Sequence, residues 1–186
     1  MDQDVDEMDA LLDEMLTYAR LEAGMPAIRY SRVELNTLIA QVVQELQPLH
    51  ANIKLSTITT STNECWVDAE VRYLHRAIQN LVSNAQRHAH RRVSVACWVQ
   101  DELCYIAVED DGLGIDEQLR EKVFTPFFRM DDSRTRASGG HGLGLAIVKR
   151  IMYWHAGRVR IEGDSSLGGA RGVLVWQQYA VESSVI

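Results

Sequence analysis

The 186-residue sequence predicts an α/β fold: a two-layer α/β sandwich with a mixed sheet, preceded by one separate helix. Three observations carry this. Segments with strand-like alternation recur between segments with helical spacing, the pattern of helices packed on a sheet. At least two pairs of those strands are close enough in sequence to form hairpins, so the sheet is not all parallel. Hydrophobic residues make up 46% of the chain, enough for a proper core at this length.

The elements follow in order. Residues 4–22 (DVDEMDALLDEMLTYARLE) place Met8, Leu11, Leu12, Met15, Leu16 and Ala19 three and four apart, as one face of a helix does. The run stops at Ala23-Gly24-Met25-Pro26, a glycine followed by a proline. Its apolar face requires a partner, either the other half of a helical hairpin or the domain that follows. A second helix is expected from Val33 through VELNTLIAQVVQELQPLH, then a β-rich IKLSTIT, a polar turn TSTNE and a third helix from about Asp68 to His88. RRVSVACWV and ELCYIAVED alternate as a hairpin around Gln100-Asp101. A short helix in DEQLREKVF, a long polar loop from Arg129 to His141 and a helix after the glycines of GGHGLGLAIVKR come next. The strand pair RVRIEGD and VLVWQQY closes the domain around SSLGGARG. The expected units are residues 1–23 as the hairpin helix, 24–32 as a linker, 33–180 as the domain and 181–186 as a tail.

Charge and composition narrow the function. A net charge of -7 opposes a broad nucleic-acid surface, although RHAHRR (residues 87–92) could meet phosphates locally. No apolar run approaches the roughly 20 residues that cross a bilayer, and the first residues, MDQDVDEMDA, are acidic where a secretory signal is basic. The expectation is a soluble, cytoplasmic fragment. Cys65, Cys97 and Cys104 fit neither a metal spacing nor a disulfide framework and read as free thiols.

Three stretches carry chemistry. In the third predicted helix the core stripe is Leu74, Ala77, Ile78, Leu81 and Ala85, while Asn80, Asn84 and Arg87 share a ridge about 110° round from it. Asparagine is a poor mid-helix residue; its carboxamide oxygen suits Mg²⁺, which takes few protein ligands and completes its shell with water and phosphates. A solvated polar face fits the same spacing. In ELCYIAVED the alternation puts Asp110 on the same face as Cys104, Ile106 and Val108, where a carboxylate is costly unless hydrogen-bonded. The glycines of Asp111-Gly112-Leu113-Gly114 let backbone approach a flat ligand, so Asp110 could read the exocyclic amine of adenine; a tight turn with a solvated aspartate is the other reading. Glycines immediately before a helix N-terminus admit phosphate oxygens to its unpaired N–H groups. Neither glycine cluster satisfies G-x-G-x-x-G or G-x-x-x-x-G-K-[ST], which excludes Rossmann and P-loop readings. The polar loop bears Arg129, Arg134 and Arg136, suited to phosphates if it is a lid and idle if it is a connector.

Taken together, NLVSNAQRH, DDGLGI, VFTPFFRM and GGHGLGLAIV resemble the N, G1, F and G2 boxes of a bacterial two-component sensor histidine kinase, over about residues 33 to 180. The resemblance implies a Bergerat-type fold that binds ATP with Mg²⁺. It implies Asn84 as the metal ligand with Asn80 beside it as the catalytic pair, and Arg87, His88 and Arg134 on phosphates. It further implies Asp110 on the adenine amine, Gly112 and Gly114 over the base, and Phe124, Phe127 and Phe128 as anchors of the lid. The segment Gly140, His141, Gly142, Leu143, Gly144 and Leu145 would hold the triphosphate. His141 stands where the family often has a small polar residue, and Leu113 where proline is frequent.

DEMDALLDEMLTYARLEAG resembles the second helix of the dimerisation and phosphoacceptor hairpin, in the manner of RstB-like kinases. The implied reaction moves the γ-phosphoryl group to a histidine of that hairpin, in the same chain or a dimer partner, and then to an aspartate of a response regulator. The implied parent is a homodimer in the bacterial inner membrane. No H-E-L-R-T-P-like segment occurs, and His50, His75, His88, His90, His141 and His155 all follow the first helix. The acceptor is therefore expected outside these residues, leaving the fragment unable to phosphorylate itself. Two other classes fit the fold: a non-catalytic regulatory nucleotide-binding module, and an ATPase, which calls for a general-base glutamate where Asn80 stands.

Overall fold

The computed structural model describes residues 2–24, 28–59, 65–130 and 140–178. In chain order its elements are α1 (Asp2–Ala23), β1 (Ser31–Glu34), α2 (Leu35–Leu46), β2 (Lys54–Thr59), β3 (Trp66–Ala69), α3 (Val71–His88), β4 (Arg92–Gln100), β5 (Leu103–Asp110), α4 (Gly144–Trp154), β6 (Arg158–Glu162) and β7 (Arg171–Gln177), with three short 3-10 turns. The main sheet has the order β2-β4-β5-β7-β6; β2 runs parallel to β4 and the other neighbours are antiparallel, so the sheet is mixed. β1 and β3 pair as a separate antiparallel ribbon.

Helices α2, α3 and α4 cover one face of this sheet, and the core lies between. On α3 the predicted stripe of Leu74, Ala77, Ile78, Leu81 and Ala85 is buried, together with Val82 and Gln86. Burying each large aliphatic side chain contributes about 1.5–3 kcal/mol. On β5, Cys104, Ile106 and Val108 face this core, while Ala107 joins Val173 and Val175 in a small cluster on the opposite face. Trp98 and Tyr105, stacked with centroids 5.0 Å apart, pack on that second cluster. The three cysteines are free and buried, and burial pushes their thiols up, Cys104 to about 12.

Four expected boundaries move. The second helix begins at Leu35, because Val33 pairs with Val67 in the small ribbon and Glu34 turns its carboxylate back to cap the helix, accepting from Asn36 N and Thr37 N. The third helix begins at Val71, because alternation at Trp66–Ala69 buries Val67 and Ala69 as a strand before it. DEQLREKVF forms no α-helix; two 3-10 turns, Glu117–Leu119 and Lys122–Phe124, stand there, since a run this short before Thr125-Pro126 cannot sustain helical propagation. The β4–β5 turn sits at Asp101 and Glu102, both at positive φ (51° and 61°), the primed geometry that matches strand twist.

α1 docks along α4 through Leu11, Thr17, Tyr18 and Leu21. Trp154 Nε1 donates to Leu21 O at 3.0 Å, Arg76 pairs with Asp13 at 2.7 Å, and Arg150 pairs with Glu22. Met8, Leu12, Met15 and Leu16 of the predicted apolar face remain exposed.

Candidate functional site

A cavity of about 530 Å³ opens between α3, the segment after β5 and the N-terminus of α4. Asn80, Asn84, Arg87 and His88 reach it from α3, all half-buried, because their ridge lies beside the helix's core stripe. Asn80 Nδ2 donates to Gly144 O at 3.4 Å and so ties α3 to the first turn of α4. No hydrogen bond holds the Asn84 side chain among the described residues. Burial lowers the pKa of the Arg87 guanidinium, against the pull of Glu14.

Asp110 ends β5 at 3% exposure. Its Oδ1 accepts from Gly112 N at 2.8 Å and Ala170 N at 3.2 Å, while Oδ2 takes no protein hydrogen bond among the described residues. Burial pushes its carboxyl up, opposed by those two bonds. The turn that supplies Ala170 is fixed by Glu109, which points to the other face and accepts from Ser166 N at 2.7 Å, Ser166 Oγ at 2.6 Å and Arg171. Gly112 is no part of the cavity wall; a Cβ there would meet His88 O at 2.3 Å, so the glycine lets the strand end press on the end of α3. Gly114, at φ +75°, does line the cavity, and Leu113, Ile115, Leu119, Val123, Phe128 and Met130 give it apolar walls.

Asp111 clasps the neighbouring loop. Its Oδ1 accepts from the backbone N–H groups of His90, Arg91 and Arg92 at 2.9, 3.0 and 3.0 Å. Although desolvation pushes its pKa up, these bonds outweigh it and hold the carboxyl at about 2. A folded value below the unfolded one, about 3.9, gives stability that is present above pH 4 and lost as pH falls toward 2. In urea titrations the stability gap between the wild type and Asp111→Asn is therefore expected to close over that window.

At the other end, Gly140, His141, Gly142, Gly144 and Leu145 line the cavity. Gly142 is at φ +75° and packs tightly on the Phe127–Phe128 backbone: a Cβ would lie 2.9 Å from Phe127 C and Phe128 O. No side chain caps α4, which leaves the first N–H groups of its opening turn, at Gly144 and Leu145, uncapped at the cavity. Leu143 itself is in the core at 1% exposure, below this turn. Of the three phenylalanines, Phe128 reaches the cavity, Phe124 is buried under Lys149, and Phe127 is 59% exposed. Arg134 and Arg136 lie outside the described residues.

Sequence reasoning missed several contributors, among them the turn beside Asp110 and Glu14. Ala170 and Gly169 sit against Asp110 because β7 neighbours β5, a pairing that local patterns do not reveal. Glu14 of α1 also lines the cavity, its Oε2 3.5 Å from His141 Nδ1; no signal in the sequence says where α1 docks. Among the described residues no group of three or more His, Cys, Asp or Glu is arranged for a metal. The donor set does fit Mg²⁺ held jointly with phosphates, since Asn84 offers a free carboxamide in the cavity.

Residues 69–179 match the family described as histidine kinase-, DNA gyrase B-, and HSP90-like ATPase. The chain belongs to this family. Within this ATPase family it is 35% identical to sensor protein RstB of Escherichia coli K12 over 176 residues, which cover 95% of this chain and 40% of that protein. It is 45% identical to sensor histidine kinase CpxA of the same strain over 103 residues, 55% of this chain and 22% of CpxA. The chain thus spans less than half the length of these curated relatives. The structure of full-length ShkA in complex with AMPPNP shares the fold at a TM-score of 0.83 and 24% identity, covering 96% of this chain and 37% of ShkA.

Proposed function

We propose that the cavity binds ATP with Mg²⁺ and that the chain is the catalytic part of a sensor histidine kinase. The supporting observation is convergence: a buried carboxylate at a strand end, a carboxamide ridge and an uncapped helix N-terminus share one cavity. Asp110 Oδ2, an acceptor beside apolar walls, takes the exocyclic amine of adenine. The α4 N-terminus and its glycines receive phosphate oxygens, since N–H groups and helix dipole both favour an anion there. Arg87 and His88 add positive charge, and Arg134 joins them from the lid. Asn84 holds the metal, with Asn80 keeping α3 and α4 in register. Bound Mg²⁺ supplies charge neutralisation across the phosphates, on which phosphoryl transfer depends together with positioning.

The acceptor in this reading is a histidine on the hairpin's other helix, in the same chain or a dimer partner, with onward transfer to a response-regulator aspartate. Residues 1–23 belong to the hairpin, 24–32 to a linker, 33–180 to the catalytic domain and 181–186 to a tail. The parent is a homodimer at the bacterial inner membrane; no described helix is long and apolar enough to cross a membrane. An ATPase role is disfavoured by Asn80, whose amide donates to Gly144 O and cannot deprotonate water.

The test is transfer of label from γ-labelled ATP to a separately supplied histidine-bearing hairpin. Transfer is expected to need Mg²⁺, and Asn84→Ala should lower both the transfer rate and the Mg²⁺-dependent part of ATP affinity by about tenfold or more. Binding without transfer would favour the regulatory-module reading; steady hydrolysis without an acceptor would favour the ATPase.

A further inference from the structure

The carboxylate of Glu14 is out of place in a phosphate site. Its Oε2 is shielded from solvent with no hydrogen-bond partner among the described residues, and it lies 3.5 Å from His141 Nδ1. It also acts electrostatically on the half-buried Arg87 guanidinium. His141 and Arg87 line the polar end of the cavity, and Arg87 Nη1 lies 2.9 Å from where a Cβ on Gly140 would stand. Leaving that one oxygen shielded and unpartnered costs free energy, even though the side chain as a whole is 20% exposed, so something must hold it there. The ties of α1 do so: Asp13 to Arg76 next to Glu14 in sequence, and Leu21 to Trp154 and Glu22 to Arg150 further along.

Resting on the nucleotide reading above, we infer that Glu14 is a tethered competitor for the last phosphate of the nucleotide. While α1 is docked, its carboxylate occupies the polar end of the cavity, beside the Arg87 guanidinium and the His141 ring. A triphosphate must displace it or lie against a like charge in a partly shielded site, where repulsion is stronger than in bulk water. A diphosphate stops short of it. The helix and the terminal phosphate therefore exclude one another, and loading with a triphosphate, not a diphosphate, loosens α1 from α4. Glu14 thus sets how the site discriminates between phosphate chain lengths and couples that choice to the hairpin helix.

The experiment is calorimetric titration of the full chain, wild type and Glu14→Gln, with Mg²⁺ and either ADP or a non-hydrolysable ATP analogue. Glutamine keeps size and polarity while removing the charge. The expected result is about tenfold tighter binding of the triphosphate in Glu14→Gln, with ADP changed less than about threefold. Arg76→Ala, which frees the helix beside Glu14, should also favour the triphosphate, and should add nothing once Glu14→Gln is present. An unchanged ratio of triphosphate to ADP affinity in Glu14→Gln, with ADP still bound, overturns this inference alone. Failure of both chains to bind any adenine nucleotide overturns it together with the proposed function.

Discussion

Asp110→Asn is expected to weaken ATP binding at least about a hundredfold while leaving the fold intact. The two oxygens of Asp110 do different work. Oδ1 satisfies Gly112 N and Ala170 N, a structural duty that the asparagine oxygen can also perform. Oδ2 is the oxygen left for a ligand, and the substitution turns it into an NH₂ group. An adenine amine would then face a donor in a site where Asp110 is 3% exposed, so neither group could turn to water. The lost charge-assisted bond and the unsatisfied buried donor together come to about 3 kcal/mol. Guanine carries a carbonyl where adenine carries the amine, so the ratio of ATP to GTP affinity should also fall in the variant. Calorimetry with both nucleotides reads the binding, and an unchanged urea midpoint shows that the fold survived. Wild-type ATP affinity in a folded Asp110→Asn would remove Asp110 from the base-reading role. Asp110→Ala is the poorer probe, because it strands both backbone N–H groups.

What the sequence disclosed and what it hid divide along a physical line. Features written in local period were legible: the α3 stripe that places Asn80 and Asn84 beside the core, the alternation that turns Asp110 inward, and the uncapped glycine-rich start of α4. Features that depend on which strands become neighbours were not. Ala170 reaches Asp110 because β7 lies against β5, and Val33 became a strand residue because Val67 was there to pair with it. Gly112 shows a subtler limit. Its type is explained by close packing against the His88 carbonyl, a contact that the glycine-rich pattern alone does not reveal. Glu14 was hidden for the same reason: α1 has an amphipathic pattern, but Leu12 and Met15, which belong to the apolar stripe, stay exposed while Thr17 and Leu21 make the contact. Helical period ranks faces by hydrophobicity and says nothing about which of them a neighbouring helix finds.

Gly169→Ala is expected to destabilise the chain by about 3 kcal/mol and to abolish ATP binding at the same time. A Cβ at this position would stand 2.3 Å from Asp110 Oδ1, 2.4 Å from Asp110 O and 2.6 Å from Gly112 N. None of these atoms is the end of a flexible side chain with room to swing away. Asp110 Oδ1 is bound to Gly112 N and Ala170 N, and Asp110 O accepts from Gly169 N itself at 3.1 Å. Relief requires the turn to leave the strand end, which breaks those bonds and moves the carboxylate from its position. Gly168→Ala, one residue earlier, separates clash from backbone strain: nothing lies within 4 Å of its Cβ, but φ is +91°. It should cost about 1–2 kcal/mol from the left-handed backbone alone and retain nucleotide binding. Urea denaturation of both variants with ATP titration of each reads the difference. Equal stability losses, or a Gly169→Ala chain that binds ATP normally, would mean that the turn yields without disturbing Asp110 and that the strand end is not held by this contact.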